Sequence, residues 1–488
     1  MTSLAYSFRN IFVCLLAVFQ ILAISSIDAD SSTQPNNNET NTSLQEHLVV
    51  QENENDLLNH KLQEHLQLFT VSEEIAALGP TVFPKPTRLL EDLDRAAGTA
   101  KNQDVEYVIC IQPTHGTHRP DQDAILLFAA EYALHNYMIF LHTLRDTGFA
   151  GDVVMGLSTM DWDNHEVREY LEFQEHVVVY VVGYTCFNAE GQEVDSAKGG
   201  IRVCKTDNLY GRKEHVGNKT ITPLPDPRHA RTLQNSRYEL YWIWSTHYNN
   251  YSWIMLIDAR DTIFQRNPFD LVPREKGNNP NGGLLIFFGE NVEATRLGKS
   301  SHNRDWLNKA YGLDVADALA EKPTICSGST MGEQVAVEMY LRAMVAEADE
   351  TKTVKMGADQ GFHNRLYYSN KLANAIAIRD IIVQDQGFGI INNLGALRIK
   401  PLNQWFNGRL LEVVRPEGST ENDGSDITAM NVRNWDSTLS PVVHQFDRHQ
   451  ELSNWYFKRK RRELHGEWIK QKKQQKGKAS EANHGRTK

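Results

Sequence analysis

The run Trp253-Ile-Met-Leu-Ile257, followed at once by Asp258-Ala-Arg-Asp261, constrains this chain more than any other feature. An apolar stretch that short, bounded by polar residues, reads as a buried strand rather than a helix. In open α/β sheets ligands bind in the crevice outside the carboxyl ends of the strands. Two carboxylates at such an end suit a hard divalent cation that keeps some waters and grips a substrate diphosphate. The plainer alternative is that Asp258 and Asp261 end a strand and pair with Arg260.

The flanking sequence supports an α/β chain. Val105–Gln112 reads as a first strand, followed by a helix from about Ala124 to Arg145. Asp152–Leu157 and His176–Val182 read as further strands, with a helix at Glu166–Phe173 between them. That βαβαβ start predicts a mostly parallel sheet flanked by helices. Tyr184–Arg231, rich in Gly, Lys and Pro, interrupts the alternation as an exposed insertion. Ser236 is expected to cap an aromatic helix over Arg237–His247, whose spacing suits core packing. Gly283–Phe288 reads as a strand, Glu333–Val345 and Asp359–Tyr368 as helices, and the apolar residues before His444 as a late strand.

Four regions follow along the 488 residues. Residues 1–27 hold the apolar run Ile11–Ile24, which fits a signal peptide or a marginal signal anchor. Residues 28–103 are too polar to bury a core and read as a stem, with a short helix near Leu57–Leu68. Residues 104–457 form the folded domain. The basic segment 458–488 reads as a solvated face or disordered tail.

Secretion is consistent with N-x-S/T sequons at Asn38, Asn41, Asn218 and Asn250. It is consistent too with four cysteines outside the apolar run, of which Cys186 and Cys204 are the best disulfide pair. Cys110 and Cys326 lie in apolar runs and suit buried thiols. A net charge of −11 argues against nucleic acid as a partner of the whole chain.

Three more segments carry chemistry. Thr324-Ile-Cys-Ser-Gly-Ser-Thr-Met-Gly332 reads as a strand ending in small residues, which let a ligand approach backbone, and running into a helix whose N-terminus favours anions or sugar hydroxyls of a ligand. Gly357-Ala-Asp-Gln-Gly-Phe-His363 places Asp359 at a helix start, where a carboxylate is often only a cap. Pro441-Val-Val-His-Gln-Phe-Asp-Arg-His449 places His444 after an apolar run and His449 at a polar helix start.

Together, in this order, these segments resemble GT-A-fold glycosyltransferases over roughly residues 104–457. The resemblance implies a nucleoside-diphosphate sugar donor, a glycan or glycoprotein acceptor and a divalent metal. The family's D-x-D motif appears here as Asp258-Ala-Arg-Asp261, with one extra residue between the carboxylates, and Asn267-Pro-Phe269 resembles the turn that follows it. On that likeness Asp258, Asp261 and His444 hold the metal. A carboxylate–carboxylate–histidine set suits Mn²⁺ better than Mg²⁺. Gly328 and Ser329 would lie beside the donor sugar, and Thr114 and His115 in the loop that holds the base, with Arg260 also on the donor. Asp359 and Gln360 resemble the family's reaction-centre pair, with Asp385 a rival for the acidic role. Asp359 would act either as a base on the acceptor hydroxyl or as a stabiliser of the oxocarbenium-like sugar.

A hexosyl- or pentosyltransferase anchored in the Golgi membrane with a luminal catalytic domain, or secreted, is the resulting expectation. A luminal metal-dependent phosphatase is disfavoured because Arg260 stands where its D-x-D-x-T motif needs an acid. A carbohydrate-binding protein on the same fold, without chemistry, is the other alternative.

Overall fold

Seven strands build the centre of the molecule: β1 (Ala124–Phe128), β2 (Asp152–Ser158), β3 (Val177–Val182), β4 (Trp253–Ile257), β5 (Gly283–Gly289), β6 (Ile325–Glu333) and β7 (Ile378–Gln384). The computed structural model describes residues 81–97, 105–188, 190–194, 203–214, 222–224, 226–274, 282–417 and 427–485. The chain divides into units Met1–Lys61 and Leu62–Lys488, and all the described residues belong to the second. The apolar N-terminal run, the expected Leu57–Leu68 helix and the sequons at Asn38, Asn41 and Asn218 lie outside the described residues. Among the described residues, no helix is long and apolar enough to cross a membrane.

The strand order is β7-β5-β6-β4-β1-β2-β3. All neighbouring pairs are parallel except those made by β6, which runs antiparallel to β4 and β5. The fold is therefore α/β with a mostly parallel sheet. Apolar runs such as Val153-Val-Met155 and Trp253–Ile257 are buried along their whole length because helices cover both faces. One face packs on the Leu134–Asp146 helix, the other on the Leu233–Ser245 and Gln334–Thr351 helices. All carboxyl ends but that of β6 point to one rim, and β6 begins there.

Several expectations change. Ala124–Phe128 is a strand, β1, and the helix begins only at Leu134. An unbroken apolar run carries no period to separate a buried strand from a buried helix turn. Val105–Ile109 is a strand, but it pairs antiparallel with Tyr210–Glu214 in a separate small sheet. The insertion is a second antiparallel layer, in which directly paired Cys186 and Cys204 form the expected disulfide. The aromatic helix starts at Leu233, and the Ser236 hydroxyl donates to the Leu233 carbonyl inside it.

Both flanks of the domain are also more structured than polarity suggested. The stem's last part forms a helix, Pro86–Ala96, opened by proline and anchored by buried Leu90. Within the basic segment, Arg461–Gly485 is a helix. Its Leu464 and Trp468, one turn apart, are buried, and the indole meets Tyr170 and Phe173 edge-on at 5.3 and 5.0 Å. With partly buried Ile469 beside them, Leu464 and Trp468 dock a helix that is otherwise mostly polar.

Candidate active site

β4 delivers Asp258 to the rim, and Thr262 turns the chain there. The Thr262 hydroxyl donates to the Asp258 carbonyl at 2.6 Å, and residues 262–264 then leave the main sheet. They join a three-stranded sheet with Val442–His444 and Ile391–Asn393. Its register sets His444 opposite both Thr262 and Asn393. Residues almost two hundred positions apart are thus brought together by backbone pairing alone.

That pairing also settles the histidine's tautomer. Asn393 donates from Nδ2 to the Phe288 and Gly289 carbonyls at 3.3 and 3.0 Å, which orients its amide. Its Oδ1 therefore accepts from His444 Nδ1 at 2.9 Å, with Ser329 Oγ donating to the same oxygen at 3.4 Å. The proton sits on Nδ1 and the lone pair on Nε2. Nε2 is buried without a hydrogen-bond partner, 3.7 Å from Asp261 Oδ1. Asp261 is itself 5% exposed. Burial pushes its carboxyl above the ordinary range, reinforced by the negative charge of Asp258.

Gly328 explains why small residues face the rim. The Asp258 amide donates to the Gly328 carbonyl at 3.1 Å, so the two backbones are in contact. A Cβ on Gly328 would stand 2.7 Å from Asp258 Oδ2 and 3.0 Å from His444 Cε1. Because β6 is antiparallel to β4, these small residues lie mid-strand, and the helix that follows starts at Gln334, at the opposite rim. The expectation that this helix terminus meets a ligand is corrected accordingly. Over Asp261 sit two half-exposed guanidinium groups: Arg448 Nη2 at 3.7 Å and Arg260 Nη2 at 4.0 Å, both also paired with Asp447.

On the other side Arg237, which sequence reasoning missed, links two carboxylates. Its Nη1 donates to Asp258 and its Nη2 to Asp359 at 2.9 Å. Asp359 is buried and also lies 3.3 Å from the Tyr238 hydroxyl and 3.4 Å from the Ser327 hydroxyl. Burial raises its carboxyl above the usual range despite Arg237, and Asp258 adds to the rise. Gln360, expected at the reaction centre, engages both ends of its amide with strand backbone: Ser327 N donates to it at 2.8 Å, and it donates to Ile325 O at 2.6 Å. It therefore holds β6 against the Ala358–Tyr368 helix. Asp385 caps locally, accepting from the Gln386 amide at 2.8 Å. His449 donates to the Leu394 carbonyl at 2.9 Å and is structural.

Thr114 and His115 pair by backbone with Val179 on β3, the edge strand three places from β4. Their expected place in the base-holding loop rests on Val105–Ile109 as the sheet's first strand, a position that β1 holds instead. With β1 in that position, the loop outside its carboxyl end is 129–133. There Tyr132 lies within the field of Asp258, Asp261 and Arg260. Its only sequence signal was the unrecognised strand before it.

Among the described residues, no group of three or more His, Cys, Asp and Glu stands converged as a ready metal shell. The partial set nevertheless fits a divalent ion: a buried lone pair on imidazole faces a buried carboxylate, and Asp258 Oδ2 lies against the same glycine, while its other oxygen is tied to Arg237.

No protein-family model and no curated protein sequence matches the chain. Among solved structures it is similar to the galactosyltransferase LgtC in complex with donor and acceptor sugar analogues. The identity is 11%, the TM-score 0.32, and the match covers 70% of this chain and 95% of that one. An active-site mutant of LgtC gives 10% identity and a TM-score of 0.33 over the same shares. Likeness at this level leaves the functional reading to the site's own chemistry.

Proposed function

We propose that the protein is a metal-dependent glycosyltransferase of the GT-A type, moving a sugar from a nucleoside-diphosphate donor to a hydroxyl of a glycan or glycoprotein in the secretory pathway. One observation carries the reading: the buried, unpartnered Nε2 of His444, its tautomer set by Asn393, faces Asp261 at the carboxyl rim of the sheet. A histidine poised as acceptor beside two carboxylates suits a transition-metal ion, and Mn²⁺ fits the mixed N/O set.

Asp258, Asp261 and His444 would hold the ion, which when bound would neutralise charge growing on the departing diphosphate. Arg260 and Arg448 stand where they would grip diphosphate oxygens from the solvent side. Tyr132, in the loop outside β1, would contact the base or ribose. Buried Asp359 already has donors from Arg237, Tyr238 and Ser327 close by. A general base needs a free lone pair within reach of the acceptor proton. Asp359 suits instead an electrostatic role, fixing Arg237 and adding negative potential where positive charge develops on the sugar.

The test is turnover by the full-length protein on UDP- and GDP-sugars, read as nucleoside-diphosphate release with Mn²⁺ or with chelator. Release that needs Mn²⁺ and disappears in Asp261→Asn supports the reading. Release that is indifferent to chelator, or unchanged in the variant, contradicts it.

A further inference from the structure

Charge in this chain is sharply segregated. Residues 458–488 carry twelve Lys and Arg against three Glu, a net of +9, which leaves the other 457 residues at −20. The structure gives this segment a shape. The Arg461–Gly485 helix seals Leu464 and Trp468 on the body, and Lys472 pairs with Glu169 at its edge. Arg462, Lys470 and Lys473 are exposed, and at i, i+8 and i+11 they share the opposite face. At 1.5 Å per residue that face is a cationic track about 17 Å long.

The chain entering this helix packs beside the candidate site. Tyr456 and Phe457, just before the helix, each pack on Phe446 at 5.2 Å, two residues beyond His444. Phe457 also meets His135 edge-on at 5.6 Å, on the helix that begins just after Tyr132. Arg461 is close enough to His135 to depress its basicity, after burial. The half-exposed Arg260 and Arg448 occupy the rim itself.

We propose that the cationic face of the C-terminal helix binds a polyanionic glycan, one bearing repeated sulfate, carboxylate or phosphate groups, and holds it as acceptor at the mouth of the site. The acceptor role rests on the transferase reading; the binding role does not. A string of fixed charges matches cations spaced along one helix face. An anionic membrane fits less well, because a helix that lies in an interface inserts an apolar face, and here that face is already buried on the body.

The experiment uses the full-length protein, fluorescent dextran sulfate and neutral dextran of the same length, with phosphatidylserine vesicles in parallel. The triple variant Arg462→Gln/Lys470→Gln/Lys473→Gln is compared with the wild type, and Mn²⁺-dependent UDP and GDP binding is read on both. Dextran sulfate should bind, neutral dextran should not, and affinity should fall with salt. The triple variant should weaken sulfated binding about tenfold or more, with nucleotide binding unchanged. Equal binding of neutral dextran, or a triple variant that binds like the wild type, overturns the proposal. So does capture by vesicles, lost in the variant, without binding of dextran sulfate. Absence of nucleotide binding in the wild type would count against the transferase reading alone.

Discussion

Arg228 and Arg237 are both buried, nine residues apart, and do opposite things. Arg228 is closed on every side: Nη1 donates to Glu239, Nε to Asp349 at 3.1 Å and Nη2 to the Pro86 carbonyl at 2.6 Å, while the guanidinium stacks over Tyr210. Arg231 balances the same Asp349 at 2.6 Å. Arg237 joins Asp258 and Asp359, yet its Nε is buried without a partner. Asp261 adds a third carboxylate, buried like Asp359, and Nε2 of His444 is a second unpartnered atom. Arg228, with each of its nitrogens engaged, stabilises and orders, although Arg231 Nη1 beside it is unpartnered; three carboxylates around the single arginine Arg237, with an open imidazole lone pair beside them, wait for a ligand. The first ties the end of the stem to the domain, and the second marks the site.

Breaking the closed network should have the largest effect. Arg228→Ala leaves buried Glu239 without its cation and Asp349 with Arg231 alone, and should cost roughly 3–5 kcal/mol in urea unfolding. Nucleotide binding per folded molecule should survive. Breaking the open one should show in ligand affinity. Asn393→Ala frees the His444 tautomer and should weaken Mn²⁺ affinity about 10–100-fold by electron-spin-resonance titration, as loss of an outer-shell partner does. Gly328→Ala places a methyl against Asp258 and His444 and should cost about 1–3 kcal/mol by overpacking, with loss of Mn²⁺-dependent binding.

Acidity sharpens the contrast further. Burial raises both Asp261 and Asp359, so the folded state holds their protons more tightly than the unfolded chain. Metal-free stability from these groups should therefore fall as pH rises from the ordinary carboxylate value of 3.8 through their raised folded values. Asp261→Asn should flatten that slope in a series of melting temperatures, while metal binding in the wild type should weaken on acidification. The smallest effect lies in the tail. Gly466 has open space at its Cβ, so Gly466→Ala should stabilise the helix by about 0.5–1 kcal/mol, read in urea unfolding.

What could be read from sequence followed from local pattern. The β4 run, the small residues of β6, Asp359 at a helix start and His444 after an apolar strand each carry their signal within a few residues. What could not be read depends on distant pairing. Asn393 matters only because register puts it opposite His444. Arg237 resembled any polar residue on an aromatic helix until its partners, 21 and 122 positions away, were in place. Tyr132 has no local signal, because Ala124–Phe128 has no period to mark it as the strand before that loop. The tail reads as a solvated face or disordered segment because its docking residues, Leu464, Trp468 and partly buried Ile469, are few among many charges.

The most direct measurement is calorimetric titration of the full-length protein with UDP and with GDP, each with and without Mn²⁺, in wild type, Asp261→Ala and His444→Ala. The account expects one nucleotide to bind only when Mn²⁺ is present, and that binding to vanish in both variants. Binding to neither nucleotide, or binding that ignores Mn²⁺ and survives His444→Ala, would contradict it.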